Sequence, residues 1–364
     1  MTNHIPTRPE LSNLPPVHHG AFDYGELEAL EIAPDDVLDF SVNSNPYGPS
    51  TAVSKALKTV PLERYPDRET LALRRALSAH LNRPLSHILA GSGTAELLWL
   101  LALAYVRAGD RALILQPTFG EYENVVQLMG GIVEGITAVS TDQFAHQTDI
   151  ITKQLKQTNY RLLFICNPNN PTGQALPLAQ IEAWAVALPN TLIVVDEAYI
   201  AFAPDVETAV SFTHPNLLIL RSMTKDYAIA GLRLGYAVGH PEVIEALKRV
   251  QPPWSVNGVA QAAGVAALAD IDFLQNSLPK LWRDKQILTD GLMAAGYAPT
   301  PSTTHYFLLP VSNAAQFRQK LLQHRLQVRD CTSFGLPNYV RIATRKGEEN
   351  GRLVEAMKVL SAED

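Results

Sequence analysis

The segment RSMTKDYAIAGLRLGY, Arg221–Tyr236, concentrates groups that could do chemistry. Two hydroxyls, Ser222 and Thr224, precede Lys225, and Arg233 follows. Hydroxyls and an arginine make a phosphate-binding set. A lysine held beside such a set and near a buried acid can form a Schiff base with an aldehyde. Asp196 supplies the acid, at the end of the apolar run in TLIVVDEAY. A carboxylate there is costly unless it meets a cation or hydrogen-bond donors. The loop GSGTAE, Gly91–Glu96, opens an apolar helix. Its glycines admit close backbone approach and the helix N-terminus offers free N–H groups, so a phosphate suits it. It matches neither a dinucleotide fingerprint nor a Walker A loop. Each feature also has an ordinary reading: a solvated lysine, a helix-capping aspartate, a tight turn.

Together these pieces call for pyridoxal 5'-phosphate. That cofactor needs a lysine for its aldehyde, an acid for its ring nitrogen and a donor-rich cup for its phosphate. Asn170 and Tyr199 suit its phenolate oxygen, and Phe119 in QPTFGEY suits its ring face.

The elements around these residues predict how they meet. Arg161–Cys166, Thr191–Val195 and Leu217–Leu220 read as wholly apolar strands, with Ala112–Leu115 a shorter one and Glu96–Val106 an apolar helix. Such strands separated by helices predict an α/β fold, a mainly parallel sheet between helices. Asn170, Asp196, Ser222 and Lys225 all fall just after strands, where open α/β sheets bind ligands. After about residue 250 the texture changes, and HYFLLP, LQVRD and YVRIAT with intervening helices predict a smaller α+β domain. The expected organisation is an N-terminal arm (1–45) packing with that small domain, a large domain (46–254) and a small C-terminal domain (255–364).

Composition bounds the function. The chain has 364 residues and a net charge of -6, with 46% hydrophobic and 18% charged residues. An acidic balance argues against a nucleic-acid or anionic-membrane partner. Two cysteines, Cys166 and Cys331, make no disulfide scaffold, and no cysteine–histidine cluster has zinc spacing, so no metal is expected. No segment reads as a signal peptide or membrane span, and a cytoplasmic location is the default expectation.

The chain resembles the fold-type-I pyridoxal-phosphate enzymes of aminotransferase class I/II. The motifs that carry the resemblance are NPYGPS (45–50), RYPD (64–67), GSGTAE (91–96), NPNNPTG (167–173), DEAY (196–199) and SMTK…GLRLGY (222–236). It implies that Lys225 is the Schiff-base lysine and Asp196 the partner of the pyridine nitrogen. It makes Asn170 and Tyr199 the phenolate donors, and Gly93, Thr94, Ser222, Thr224 and Arg233 the phosphate cup. Phe119 becomes the stacking ring, and Tyr65 reaches the cofactor of a neighbouring subunit, so a homodimer is expected. Arg341 matches the arginine that holds the substrate carboxylate. Arg329 and Arg341, with His19, Gly20 and Asn45, are the expected substrate contacts.

Two sub-families compete. Histidinol-phosphate aminotransferases are similar at NPYGPS and FGLPNYVRI. L-threonine-O-3-phosphate decarboxylases are similar at His19-Gly20, Asp39–Ser41, RSMTKDYAI and PPWSVN. The expectation is an enzyme acting on a small phosphorylated amino acid or amino alcohol, decarboxylation first and transamination as the alternative. A non-catalytic binding role is the remaining reading; an inert core would be expected to lose Lys225 or Asp196, and both are present.

Overall fold

The computed structural model describes residues 5–11, 14 and 20–363. Its strands, in chain order, are β1 (Leu38–Asp39), β2 (Ile88–Gly91), β3 (Arg111–Gln116), β4 (Ile132–Thr137), β5 (Leu162–Cys166), β6 (Leu192–Asp196), β7 (Leu217–Ser222), β8 (Gly235–Gly239), β9 (Tyr306–Pro310), β10 (Leu326–Gln327), β11 (Arg329–Asp330) and β12 (Tyr339–Ala343). Seven of them form one sheet in the order β2-β8-β7-β6-β5-β3-β4. β8 is antiparallel to both neighbours. The remaining pairs are parallel.

Burial explains the sheet's place. β5 and β6 are buried at every position. Successive side chains of a strand point to opposite faces, so both faces must be covered. The core splits accordingly. Leu163, Ile165, Ile193, Val195 and Ile219 belong to one cluster. Their alternates Leu162, Phe164, Val194, Leu218 and Leu220 belong to another. The structure thus has the α/β architecture expected, with β2, β4 and β8 added to the strands read from sequence.

A second, three-stranded sheet runs β11-β12-β9 and is antiparallel. Helices Ile271–Ala294, Ala314–Gln323 and Gly347–Glu363 accompany it. Phe40 enters its core beside Phe307, Val340 and Leu353. β1 pairs with β10 in parallel. The arm does more than pack there, however. Arg8 donates to the carbonyl of Leu128 in the large domain, and Leu14 lines the cleft between the two sheets' domains.

Among the described residues no helix is long and apolar enough to cross a membrane. No group of three His, Cys, Asp or Glu among them could hold a metal ion.

Candidate active site

A cleft of ≈ 930 Å³ opens at the carboxyl ends of β5, β6 and β7. This is where a parallel sheet leaves backbone and side chains free to meet a ligand. Asp196 ends β6, Ser222 ends β7, and Asn170 follows β5 in the loop 167–173.

That loop is pinned from both sides. Thr118 Oγ1 donates to Asn169 Oδ1 (2.8 Å), and Asn169 Nδ2 donates to the Pro117 carbonyl (2.8 Å). Tyr306 OH, from β9, donates to the Asn169 carbonyl (2.9 Å). The asparagine-rich sequence thus serves as scaffold that sets Asn170 at the cleft wall.

Asp196 is fully buried. Tyr122 OH donates to its Oδ2 (2.8 Å) and the Ala198 N–H to its Oδ1 (3.0 Å). Burial pushes its carboxyl up to about 6, against the pull of those two donors. The next residue, Glu197, pairs with Arg221 (2.8 Å) and accepts from Thr208 and the Ala209 N–H. This pair, with Glu197 buried and Arg221 partly buried, ties the end of β6 to β7, which fixes Asp196 relative to Ser222. A pair so fully hydrogen-bonded meets the condition under which burial of charge is tolerated.

Lys225 sits in the single turn Met223–Asp226 that follows β7. Burial lowers its ammonium to about 8, with Arg341 and Arg233 adding to the effect. Asn45 N–H donates to the Lys225 carbonyl (2.9 Å). The Ser222 and Thr224 hydroxyls meet at 2.6 Å and are buried. Across from them the helix Gly93–Tyr105 presents its N-terminus, with Gly93 at φ +79. A Cβ at Gly93 would lie 2.8 Å from Arg233 Nη2, so only glycine lets that guanidinium close on the helix end. Hydroxyls, guanidinium and free N–H groups form one anion-binding corner.

Arg341 is buried on β12 and faces the cleft. It donates to Asn170 Oδ1, and its Nη2 donates to the Ser41 carbonyl (2.5 Å). Its guanidinium lies 5.6 Å from the Tyr306 ring centre. Its Nε is buried with no partner among the described residues. Gly20 lies against the same corner: a Cβ there would approach the Ser41 carbonyl to 2.9 Å. Arg329 also lines the cleft, its Nη2 on Ser333 Oγ (2.8 Å). Tyr199 is buried and packs edge-on against Tyr306 at 5.0 Å, and burial pushes its hydroxyl up to about 12. It stays a protonated donor at any ordinary pH.

The structure gathers Gly20, Gly93, Thr94, Phe119, Asn170, Asp196, Tyr199, Ser222, Thr224, Lys225, Arg233, Arg329 and Arg341 in this one cleft. Asn45 is a correction. It does not line the cleft; its Nδ2 is committed to the Asp226 carbonyl (3.1 Å) and Ser277 Oγ (2.9 Å). It holds the Lys225 turn rather than a substrate. Tyr65 lies away from this cleft, 78% exposed and stacked on Trp254 at 4.6 Å. His19 lies outside the described residues.

Other cleft groups escaped the sequence. Tyr122 reaches Asp196 across 74 positions, and no local pattern marks that. Asn43 is 1% exposed, lines the cleft, and neither side-chain atom has a partner among the described residues. Its place in SVNSNP was the one available signal, and a turn explains it equally well.

The sequence model of the family Aminotransferase class I and II matches residues 35–357. The chain belongs to that family. Within it, the chain is 33% identical over 356 residues to histidinol-phosphate aminotransferase 1 of Nitrosococcus oceani, covering 96% of this chain and 93% of the relative. The solved histidinol-phosphate aminotransferase from Sinorhizobium meliloti, in complex with pyridoxal-5'-phosphate, superposes with a TM-score of 0.88 at 24% identity, covering 100% and 99%. L-threonine-O-3-phosphate decarboxylase from Porphyromonas gingivalis superposes with a TM-score of 0.79 at 26% identity, covering 90% and 100%. Like these aminotransferase-fold structures, the chain places a large mixed sheet beside a small antiparallel one.

Proposed function

We propose that this enzyme moves an amino group between a small phosphorylated amino alcohol of the histidinol-phosphate type and a keto acid, with pyridoxal 5'-phosphate as cofactor. One observation carries the reading: a half-buried lysine, a buried carboxylate and a buried arginine converge on the cleft at the strand ends. Decarboxylation, the first expectation from sequence, is less well supported. The sequence relatives at 33–36% identity are histidinol-phosphate aminotransferases, while the decarboxylase is a structural likeness with a TM-score of 0.79 against 0.88 for an aminotransferase.

The residues fit the cofactor. Asp196 is a buried carboxyl with two neutral donors and, among the described residues, no cation beside it, which suits a protonated ring nitrogen. The Ser222–Thr224–Arg233 corner and the helix N-terminus at Gly93 and Thr94 suit a phosphate dianion. Phe119 offers a ring face, and Asn170 and Tyr199 offer donors near a phenolate. Bound pyridoxal phosphate supplies an aldehyde that captures the amine and a ring that accepts electrons from the neighbouring carbon.

This chain's residues do the rest. Lys225 Nζ, lowered to about 8, is readily available as a neutral amine. With the cofactor bound, it would take the proton from the substrate carbon that bears nitrogen and hold it at Nζ. Tyr199 donates and does not give up its proton. Arg341, held by Asn170 and Ser41, and Arg329 meet the substrate's anionic group.

Arg341→Ala is therefore expected to raise KM for a phosphorylated substrate by roughly 10–100-fold, the worth of one charged hydrogen-bond set. Initial rates against substrate concentration check it; an unchanged KM would remove Arg341 from the anion site. The same reading makes the enzyme a homodimer, with exposed Tyr65 offered to a second copy's cleft. Sedimentation velocity tests this, and a fully active monomer would contradict it. Incubating the holoenzyme with histidinol phosphate and a keto acid, and assaying the new amino acid, tests the reaction itself.

A further inference from the structure

The helix Ile271–Ala294 serves two parts of the molecule. Phe273 and Leu274, in its first turn, pack on a core of the large sheet. Leu278 and Leu281 join a cluster with Tyr199, Tyr306 and Ala343. Leu288 and Leu292 lie in the core of the small sheet. Pro279 falls between the first stretch and the last. A proline has no N–H for the carbonyl four residues back, so the helix is weakest there. Bending at this point would move β12, and Arg341 with it, relative to Lys225.

The segment 45–47 is bonded to the helix on both sides of that proline. Before it, Asn45 Nδ2 donates to the buried Ser277 Oγ (2.9 Å), while the Asn45 N–H holds the Lys225 carbonyl (2.9 Å). Beyond it, Tyr47 OH donates to Asp284 Oδ2. The Tyr47 N–H donates to Asn45 Oδ1 (3.1 Å), which joins the two contacts into one unit. Asp284 is buried, and among the described residues the Tyr47 hydroxyl is the one donor to its carboxylate. Burial, then Asp284 itself, push that hydroxyl above its ordinary range, so it stays a donor. Asp284 also meets the turn that follows β12. Asn350 Nδ2 donates to its carbonyl (3.3 Å), and a Cβ at Gly347 would lie 3.2 Å from its Oδ1. Lys280 of the helix and Lys346 of that turn lie 5.7 and 5.9 Å from the Tyr47 ring centre. A buried carboxylate with a single donor holds it firmly, because losing it leaves the group unpaired.

We infer that Tyr47 and Asp284 are positioning residues, whose hydrogen bond braces this helix across Pro279 and so fixes the distance between Arg341 and Lys225. The inference rests on the reading that those two act on one substrate, and not on which reaction follows. Without the brace, Arg341 samples other distances from the lysine. A substrate that needs one distance then binds with an affinity reduced by the fraction of molecules that hold it. A misplacement of about 1 Å is enough to matter. The Lys225 turn keeps its own bonds from Asn45, so the lysine stays placed for the cofactor.

Tyr47→Phe removes the donor and keeps the ring, while Asp284→Asn keeps an acceptor oxygen for Tyr47. Initial rates of the holoenzymes with histidinol phosphate and a keto acid give KM and kcat. Hydrogen exchange is followed in peptides covering the helix, and the cofactor's visible absorption is titrated with pH. Tyr47→Phe is expected to raise KM roughly tenfold and to speed exchange around Pro279 by a similar factor. Its kcat should stay within about twofold of wild type, and the pH profile of the absorption should not move. Asp284→Asn should fall between this variant and the wild type. A merely structural contact would lower the melting temperature and leave KM alone. An unchanged KM in Tyr47→Phe therefore overturns the inference. A wild type that does not turn over histidinol phosphate removes the substrate assigned above. Exchange then decides the brace: faster exchange around Pro279 in Tyr47→Phe upholds it, and unchanged exchange overturns it.

Discussion

Lys225→Ala is expected to end amino transfer, with the loss of proton transfer alone worth on the order of 10²–10⁴-fold in rate. Among the described residues Lys225 is the one lysine lining the cleft, so no second amine stands ready. The turn that carries it is held by backbone contacts from Asn45, which alanine preserves. The variant should therefore fold and still bind phosphate at the Ser222–Arg233 corner. Stopped rates and the visible absorption of the bound cofactor read the result together. In the wild type, activity should rise as pH approaches about 8, where the half-buried amine loses its proton. Retention of the absorption band together with turnover within tenfold of wild type would show that Lys225 is not the reactive amine.

Asp196→Asn has the second largest expected effect, and its sign reverses with the cofactor. Without a cation, burial raises the carboxyl from 3.8 to about 6. Between those values the folded state binds more proton than the unfolded chain. Stability conferred by the protonated form is thus lost as pH rises through that window, and the cost is complete above about 6. Its size is on the order of 3 kcal/mol. Asparagine avoids that cost, so the cofactor-free variant at pH 8 should be at least as stable as wild type. With a protonated ring nitrogen bound, the carboxylate has its partner, and removing one member of a buried pair costs about 3–5 kcal/mol. The variant should then hold the cofactor at least a hundredfold more weakly. Denaturant midpoints with and without cofactor decide it. A variant less stable than wild type in both forms would contradict the role given to Asp196.

The parts of the fold that were legible in sequence share a physical trait. β5, β6 and β7 are dry, so their apolar runs are continuous and their first polar residues mark the sheet's edge. That mark located Asn170, Asp196 and Ser222 without any long-range information. The edge strand β4 has no fully buried position, and its residues IVEGIT carry no such run. β8 reads GYAVG, where glycine and alanine conceal a strand buried on both faces. Sites made by crossing distant segments were equally hidden. Tyr122 on Asp196, Tyr306 on Asn169, and Asn45 on the Lys225 turn depend on how the sheets and helices pack. Asn45 shows the consequence: its motif placed it near the chemistry, while packing assigned it to scaffold.

The net charge of -6 likewise says little about the cleft, where Lys225, Arg233, Arg329 and Arg341 gather inside an acidic protein. Local charge, not total charge, decides which ligand is drawn in.

A product assay on the holoenzyme addresses the reaction most directly. Histidinol phosphate with a keto acid, and threonine phosphate alone, are incubated side by side. Amino transfer predicts a new amino acid and a phosphorylated carbonyl product from the first, and no carbon dioxide from the second. Carbon dioxide released from threonine phosphate, with no amino acid formed from the keto acid, would contradict it.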